Sequence, residues 1–206
     1  MHIIVCIKQV PDPEGPRDSF EINEALNQVQ PIGIPPVLSL FDENALEAAL
    51  RIKDTGGQDV KITVLSIGKR VSNAVMFKAL AAGADELLRV EDPAFESGKL
   101  DSFLTAKAIS QAIKKIGNFD LILVGRQAAD WNSGQTGIYV AGNLGIPCIT
   151  LAQKVTVKSN SALVERLRTN GYEVVKTGLP AVIMVSNEVG ELRYHAMKER
   201  REAKKK

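Results

Sequence analysis

The sequence predicts an α/β fold: a doubly wound, mostly parallel sheet with antiparallel hairpin strands near the C-terminal end. Up to about residue 150, apolar strand-like runs alternate with helical patterns, which is the order of βαβ units. After Cys148, apolar and polar residues alternate in short segments separated by turn residues, which is typical of hairpins. The length of 206 residues suits one such domain, or one and a half.

The N-terminal part contains one clear strand and a long irregular stretch. His2 to Lys8 is an apolar run rich in β-branched residues and predicts a buried first strand. Three prolines between Val10 and Pro16 force a loop. Arg17 to Val29 is compatible with a short helix or with an extended excursion, and Pro31 to Pro36 is irregular.

The clearest helical pattern follows this stretch. Ala45, Ala49 and Ile52 repeat at helical spacing in a segment that reaches Lys53. Asp42 is a candidate N-cap for this helix, and Gly56-Gly57 is expected to end it.

The remaining elements follow the same logic. Strands are predicted at Val60–Ile67, Glu86–Val90, Leu121–Val124 and, near the C-terminal end, Pro180–Ser186. Helices are predicted at Asn73–Ala82, at Gln135–Leu144 and at Asp101–Ile116, whose apolar face is Phe103, Ala106, Ile109, Ala112 and Ile113. Hairpin strands, expected at one edge of the sheet, are predicted at Val155–Ser159, Ala162–Arg168 and Tyr172–Lys176.

The composition is that of a soluble globular protein, with 45% hydrophobic and 24% charged residues. No apolar stretch approaches the roughly 18 residues that would span a bilayer. The N-terminal MHIIVCIKQV has no basic region before its apolar run and no small-residue cleavage site, so it is not a signal peptide. We therefore expect a cytoplasmic protein without membrane insertion.

The net charge of +2 conceals an uneven distribution, because Lys198 to Lys206 carries +4 and the rest of the chain carries −2. The body therefore lacks the basic, aromatic-rich surface that binds nucleic acid. We divide the chain into one α/β domain over residues 1–195 and a basic tail over residues 196–206. The tail is either a solvated end or a partner contact.

Side-chain catalysis and metal binding have little support in the sequence. Cys6 and Cys148 lie in separate apolar runs and are expected to be buried, and His2 and His195 have no metal-type spacing. The phosphate-binding motifs GxGxxG and GxxxxGKS/T are missing, and so is the nucleophile motif GxSxG. We assign no catalytic residue and no metal ligand.

A nucleotide site is predicted where the strand ends meet. In doubly wound sheets, ligands bind outside the carboxyl ends of the strands. The segments that follow strand ends are Gln9–Pro16, Ser66–Lys69 and Arg126–Gly134. We therefore expect these three segments to converge.

The main candidate within this region is the stretch Phe119–Leu144, which reads as strand, polar loop and helix start. Ser133 to Thr136 stand at that predicted start, where unpaired backbone N–H groups and small polar side chains hold anions well. A polar loop before a capped helix, with no ligand, explains the same residues. Trp131 in this loop either covers a bound ring or packs against the protein.

Three stretches resemble the β subunit of electron transfer flavoproteins. The first is IIVCIKQVPD at Ile3–Asp12, and the second is FDENALEAALRIKD at Phe41–Asp54, with ITVLSIG and KALAAGAD behind it. The third, DLILVGRQAADWNSGQTG at Asp120–Gly137, is the most specific and is followed by LPAVIMVSNEVGELRY at Leu179–Tyr194. Together they cover most of residues 1–195 in the order of the family.

The resemblance implies a fold of the adenine-nucleotide alpha hydrolase type and an electron carrier subunit without catalytic residues of its own. It implies AMP as a structural nucleotide in this chain and FAD on a partner α-type subunit, with dehydrogenase or quinone reductase partners. Carried over by motif, the cofactor-binding residues are Cys6, Ser39, Phe41, Asp42, Ser66, Ile67, Gly125, Arg126, Gln127, Asp130, Ser133, Gly134, Gln135 and Thr136.

The identity of the nucleotide is a separate question. The run Gln135-Thr136-Gly137 resembles members that bind AMP, whereas electron-bifurcating members, which bind a second FAD, tend to carry Gln-Val-Gly-Pro there. A threonine hydroxyl can bind a terminal phosphate, so AMP is favoured and FAD is the alternative. Arg126 is expected to touch a flavin or a phosphate, or to brace the loop through Asp130. A third alternative is a free-standing nucleotide-binding homodimer of the universal-stress type.

Departures from the family pattern concern mainly the partner-facing end. The segment RYHAMKERREAKKK at Arg193–Lys206 lacks the apolar core of the family's partner-recognition loop. Helix propensity favours a solvated helical end there, and an altered partner is the alternative. The family also continues beyond this point with an arm that embraces the α subunit, so heterodimer and homodimer both stay open. Smaller departures are Ser39-Leu40, where Asn-Pro is usual, and an irregular insert around Gln28–Pro36.

Overall fold

The structure, a computed structural model, describes residues 1–25, 28–56, 59–96 and 100–196, together with 199, 201 and 203. The strands in these ranges are β1 (His2–Cys6), β2 (Gln9–Pro11), β3 (Phe20–Asn23), β4 (Gln28–Pro31), β5 (Pro36–Leu38), β6 (Lys61–Gly68), β7 (Glu86–Glu91), β8 (Leu121–Gly125), β9 (Cys148–Lys158), β10 (Ser161–Arg168), β11 (Gly171–Gly178) and β12 (Ala181–Val185). The helices in the same ranges are α1 (Leu40–Gly56), α2 (Asn73–Ala82), α3 (Ser102–Ile116) and α4 (Thr136–Leu144).

The main sheet of the described residues has eight strands in the order β11-β10-β9-β12-β8-β1-β6-β7. The strands from β7 to β9 pair in parallel, while β10 and β11 are added antiparallel at one edge. The last strand, β12, returns to the middle of the sheet between β8 and β9. This confirms the predicted α/β fold with C-terminal antiparallel strands.

Helices cover both faces of the sheet, because alternate residues of the parallel strands point to opposite sides. Ile3 and Val5 of β1 pack with buried residues of α1 and α2. Ile4 and Cys6 pack with buried residues of α3 and α4 on the other face. Both faces of β1 are thus buried, which explains its nearly continuous apolar sequence. No helix of the described residues is long and apolar enough to cross a membrane.

Helix α1 begins at Leu40, two residues before the predicted N-cap Asp42. The Ser39 carbonyl accepts hydrogen bonds from the N–H groups of Asp42 and Glu43, each at 3.0 Å, and so opens the helix at Leu40. The prediction of Asp42 as the N-cap was therefore wrong, because Asp42 lies inside the first turn. The helix ends at Gly56, and the adjoining Gly57 lies outside the described residues.

The segment Arg17–Val29, for which the sequence allowed a short helix or an extended excursion, is mainly extended. Following a single helical turn at Arg17–Ser19, β3 and β4 form an antiparallel hairpin in which Ile22 lies opposite Val29. Strand β5 pairs with β2 in a second small sheet. The prolines that end β2 and begin β5 disguised this pairing in the sequence, since proline is unusual in strands.

The segment after β12 is fixed to α1 by Arg193. Its guanidinium lies 3.0 Å from a Glu47 carboxylate oxygen and 2.8 Å from one of Asp54. Burial alone would raise the pKa of Glu47, but hydrogen bonds from Arg193 and Arg51 outweigh it and hold that pKa below its usual value. The next residue, Tyr194, is 89% exposed.

Two sequence expectations were only partly right. Phe103 was placed on the buried face of α3, but it is 49% exposed and packs edge-to-face with Tyr139, with ring centroids 5.8 Å apart. The first turn of α3 stands beside a cavity, and Phe103 packs there against Tyr139 of α4 without joining the buried cluster of this face. In the C-terminal tail, Glu199, Arg201 and Ala203 are helical, but Ala203 is buried against the core.

Gly137 lets α4 pack closely on the sheet. A Cβ atom there would lie 2.6 Å from Val124 Cγ2 of β8 and 2.8 Å from Met184 Cγ of β12. Five residues later in the same helix, a Cβ atom on Gly142 would meet no atom within 4 Å. The two glycines therefore separate a packing requirement from ordinary helix propensity.

We predict that Gly137→Ala lowers the free energy of unfolding by about 1–3 kcal/mol, because the added methyl group overpacks this interface. Gly142→Ala, the matched control, is expected to raise it by about 0.5–1 kcal/mol, since alanine favours the helix and the site is open. Urea denaturation of both variants measures these changes. Equal effects of the two substitutions would contradict the packing argument.

Candidate functional site

A cavity of about 900 Å³ lies at the carboxyl ends of β1, β6 and β8 and between the N-termini of α3 and α4. It is the place where a doubly wound sheet takes its ligands. Gln9, Gly68 and Arg126 line it, so the three segments expected to converge do meet here. Its apolar wall includes Cys6, Leu65, Ile67, Ile109 and Val124.

The carboxylate of Asp42 ties the ends of two strands together beneath this cavity. Its Oδ2 accepts the N–H of Lys8 at 2.8 Å, just after β1, and its Oδ1 accepts the N–H of Gly125 at 3.1 Å, at the end of β8. A Cβ atom on Gly125 would lie 2.4 Å from Asp42 Oδ1. The position therefore requires glycine, because any side chain would break this contact.

Burial dominates the electrostatics of this end of the cavity. It raises the pKa of Asp42 from 3.8 to about 7, against the opposing effects of the two N–H donors and the Lys8 charge. Burial, assisted by the nearby Asp42, also raises the pKa of the Cys6 thiol to about 12. The thiol therefore stays protonated and unreactive at neutral pH.

The opposite end of the cavity is formed by the start of α4. Gln135 occupies the N-cap position without a side-chain hydrogen bond to the helix, and Gly134 has a φ of +63°. The amides of the first turn therefore face the cavity edge without intrahelical partners, which favours a bound anion. Ser102 Oγ donates to Ser133 Oγ at 2.8 Å and joins this loop to α3.

The loop between β8 and α4 is held by contacts at several points. Lys8 Nζ lies 2.5 Å from Asp130 Oδ2, and the N–H of Asn132 donates to the Ala128 carbonyl at 2.8 Å. The guanidinium of Arg126 lies over the ring of Phe41, 5.5 Å from its centroid. The brace on Asp130 is therefore Lys8, and the proposed Arg126–Asp130 brace was wrong.

Most of the residues carried over by motif surround the cavity. Those that line it are Cys6, Asp42, Ile67, Gly125, Arg126, Gln127, Ser133, Gly134, Gln135 and Thr136. Ser39 and Ser66 are buried and do not line it, Phe41 lies beneath Arg126, and Asp130 faces Lys8. These four can support the wall but do not form it.

One side of the cavity was missed by the sequence reading. Phe95, Leu100 and the first turn of α3, with Asp101, Ser102, Leu104 and Thr105, contribute to the wall. The sequence carried a signal for this helix start, because aspartate is a favoured N-cap residue and Asp101 directly precedes α3. In the structure Asp101 does cap α3, accepting the Leu104 N–H at 2.7 Å. A helix that follows a parallel strand begins at the carboxyl edge of the sheet, so its start belonged among the candidates.

Basic side chains give the cavity rim an affinity for anions. Lys8, Lys69, Arg70 and Arg126 all contribute to the lining. Lys69 Nζ is neutralised by Glu96 at 2.6 Å and Lys8 Nζ by Asp130 at 2.5 Å. Trp131 lines the mouth and is 66% exposed, so its ring face is open to a ligand. Among the described residues, no cluster of His, Cys, Asp and Glu could hold a metal ion.

Comparison with known proteins finds relatives that match most of this chain. The profile of the family described as "Electron transfer flavoprotein domain" matches residues 33–206. The "Electron transfer flavoprotein subunit beta" of Megasphaera elsdenii is 36% identical over 212 residues, covering 100% of this chain and 76% of the relative. The "Caffeyl-CoA reductase-Etf complex subunit CarD" of Acetobacterium woodii is 34% identical, over 94% of this chain and 71% of the relative. "Protein FixA" of Sinorhizobium fredii is 35% identical, over 89% and 64% respectively.

We predict that stability falls as the pH rises from about 4 to about 7. Between pH 3.8 and about 7 the folded protein keeps the Asp42 proton while the unfolded chain has lost it. Folding is therefore favoured at the acidic end, by up to about 4 kcal/mol. Urea denaturation at each pH measures the slope.

The Asp42→Asn variant should remove this slope. Its free energy of unfolding at pH 5 should be about 1–3 kcal/mol below that of the unmodified chain, because an amide oxygen cannot accept both N–H groups in the same way. Asp120→Asn is the control, since Asp120 accepts the His2 N–H at 2.7 Å at the other end of β1. It should keep the slope, and a flat profile in the unmodified protein would refute the assignment.

Proposed function

Because this chain belongs to the β-subunit family of electron transfer flavoproteins, we propose that it holds one AMP as a structural nucleotide and joins an FAD-bearing α-type subunit. The observation that carries the proposal is the cavity at the carboxyl edge of the sheet, with anion-binding amides at one end and an apolar wall at the other. On this proposal the FAD of the α-type subunit supplies the redox chemistry. The residues of this chain bind and orient the nucleotide and exclude water from it.

The phosphate end fits a nucleotide monophosphate. The hydroxyls of Ser133 and Thr136 line the cavity beside the first-turn amides of α4. Arg126 brings positive charge to the rim, while the charge of Lys8 is balanced by Asp130. Hydrogen bonds from neutral groups and amides hold an anion without activating it. This suits a nucleotide that is retained and not hydrolysed.

The base end fits an adenine ring. Cys6, Leu65 and Ile67 present apolar surface on one side, with Val124 and Ile109 also in the wall. The raised pKa of the Cys6 thiol, at about 12, keeps that side chain neutral against the ring. A mostly apolar slot with a few polar groups is the usual form of such sites.

The volume of the cavity supports a second candidate. About 900 Å³ lies near the upper end of the range for small-molecule sites, roughly 300–1,000 Å³, and so leaves space beyond a mononucleotide. Trp131, Phe95 and Leu104 line that outer space with apolar surface. FAD in this chain is therefore the alternative to AMP. Family membership argues against the free-standing stress-type homodimer.

Mass spectrometry of the small molecule released on denaturation tests the proposal. We expect AMP in about one copy per chain and a colourless isolated protein. A yellow preparation that releases FAD would establish the alternative. A protein that releases no nucleotide, and that binds no FAD-bearing α-type subunit, would overturn the proposal altogether.

Thr136→Val tests the phosphate end. We expect the affinity for AMP to fall about tenfold, because a charged phosphate loses one hydrogen bond worth about 1.5 kcal/mol. Thr105→Val is the matched control, since Thr105 lines the same cavity on α3 and is not one of the residues assigned to the phosphate. Isothermal titration of nucleotide-free protein measures both, and an unchanged affinity in Thr136→Val would contradict the placement.

A further inference from the structure

The loop between β8 and α4 contains a turn that is held together by its own hydrogen bonds. The N–H groups of Trp131 and Asn132 both donate to the Ala128 carbonyl, at 3.3 and 2.8 Å. Gln127 Nε2 donates to Asn132 Oδ1 at 3.1 Å. We call residues 127–133 the cavity loop, because most of them line the cavity at the carboxyl edge of the sheet. Since these bonds lie within the loop, it can open as one unit.

The two ends of the cavity loop are attached differently. Before its first residue, the N–H of Arg126 donates to the Val185 carbonyl at 2.8 Å and fixes the chain to the sheet. At the other end, Asn132 and Gly134 have φ values of +50° and +63°. A left-handed φ costs glycine little, and hinges commonly consist of a few such loop residues. We therefore place the pivot of the loop at Gly134.

Lys8 fastens the cavity loop to the end of β1. Its N–H donates to Asp42 Oδ2 at 2.8 Å, and its carbonyl accepts the Ser39 N–H at 2.9 Å. The backbone of Lys8 is thus held by two hydrogen bonds, and from this fixed point Nζ reaches Asp130 Oδ2 at 2.5 Å. The Asp130 side chain is only 15% exposed, so water screens this ion pair less than a fully solvated one.

A second contact fastens the same loop to α3. Ser102 Oγ donates to Ser133 Oγ at 2.8 Å, and Ser102 is the first residue of that helix. The helix start is itself fixed, because Asp101 accepts the Leu104 N–H at 2.7 Å. The loop is therefore held on two sides, at β1 and at α3, by contacts between side chains. Both contacts can break without the loss of a strand or a helix.

We propose that these two contacts form a latch that sets the rate at which the nucleotide leaves the cavity. The inference rests on the proposed function, since it concerns the retention of the nucleotide in that same site. Lys8 and Ser102 are positioning residues in this latch, because they act on the nucleotide through the loop that they hold. When the latch is broken, the loop turns about Gly134 and uncovers the cavity, so exit becomes faster.

The test measures the exit rate of AMP from the full chain, loaded with labelled AMP and chased with an excess of unlabelled AMP. Lys8→Met, which removes the charge and keeps the side-chain length, is expected to raise this rate about fivefold, the factor that one half-exposed ion pair supports. Added salt should speed exit from the unmodified chain and not from Lys8→Met, because salt screens only the intact pair. Lys8→Asp combined with Asp130→Lys, which reverses the pair, should restore slow exit.

Lys78→Met is the matched control, because Lys78 Nζ also lies 2.5 Å from a carboxylate, that of Glu43. The exposed fractions of the two side chains are 39% and 15% in this pair, against 41% and 15% in the pair of Lys8 with Asp130. Neither Lys78 nor Glu43 lines the cavity. This variant should leave the exit rate within about twofold of the original, whereas Ser102→Ala should raise it.

The mobility of Trp131, the single tryptophan of the chain, gives a readout that needs no nucleotide. Its nanosecond fluorescence depolarisation should increase in Lys8→Met and not in Lys78→Met. An unchanged Trp131 signal in Lys8→Met would overturn the latch even where exit is faster, because the lost charge alone would then explain the faster exit.

The exit rates separate the latch from the proposed function. If AMP leaves Lys8→Met at the original rate, or leaves Lys78→Met equally fast, the latch inference fails while the proposed function stands. If the unmodified chain binds no AMP, the proposed nucleotide fails and the latch inference falls with it.

Discussion

The buried carboxylate of Asp42 is the contact on which the architecture of the site depends. It receives the N–H of Lys8 after β1 and the N–H of Gly125 at the end of β8, and it belongs to the first turn of α1. Three elements are thereby joined at one point under the cavity. A charged group in such a place is costly unless hydrogen bonds satisfy it. Its raised pKa, at about 7, shows that burial outweighs those bonds.

Two glycines allow the backbone to approach its neighbours closely around the Asp42 contact. Gly125 admits the Asp42 carboxylate, and Gly137 admits α4 onto β8 and β12. The loop between these two glycines is fixed near its middle by the ion pair of Lys8 with Asp130. The result is a preorganised edge where helix amides and basic side chains meet an apolar wall. Preorganisation lowers the cost of binding, which suits a nucleotide kept as part of the structure.

The sequence predicted the parallel core well, because strands buried on both faces read as continuous apolar runs. Asn73–Ala82 was predicted with the bounds that α2 has, since Gly83 ends it clearly. The start of α1 was misjudged because the Asp42 carboxylate, which resembles an N-cap in the sequence, accepts the N–H groups of Lys8 and Gly125 instead of those of its own helix. Phe103 was misplaced because periodicity cannot tell where a helix extends past the sheet. The wall formed by α3 was overlooked because only motif-bearing loops were considered, although a helix start after a parallel strand lies at the same edge.

The sequence by itself determined the fold class, the strand–loop–helix order around Gly125 and the resemblance that led to the family. These depend on local periodicity, on turn chemistry and on motif spacing, all of which a linear chain displays. Only the tertiary structure decided that Asp42 bridges two strands, that Lys8 pairs with Asp130, and that Arg126, Arg166 and Arg168 line one surface depression. The residues in each of these sets lie between two and 122 positions apart along the chain. Their contacts arise from strand order and from a bulge in β9, which sequence spacing does not encode.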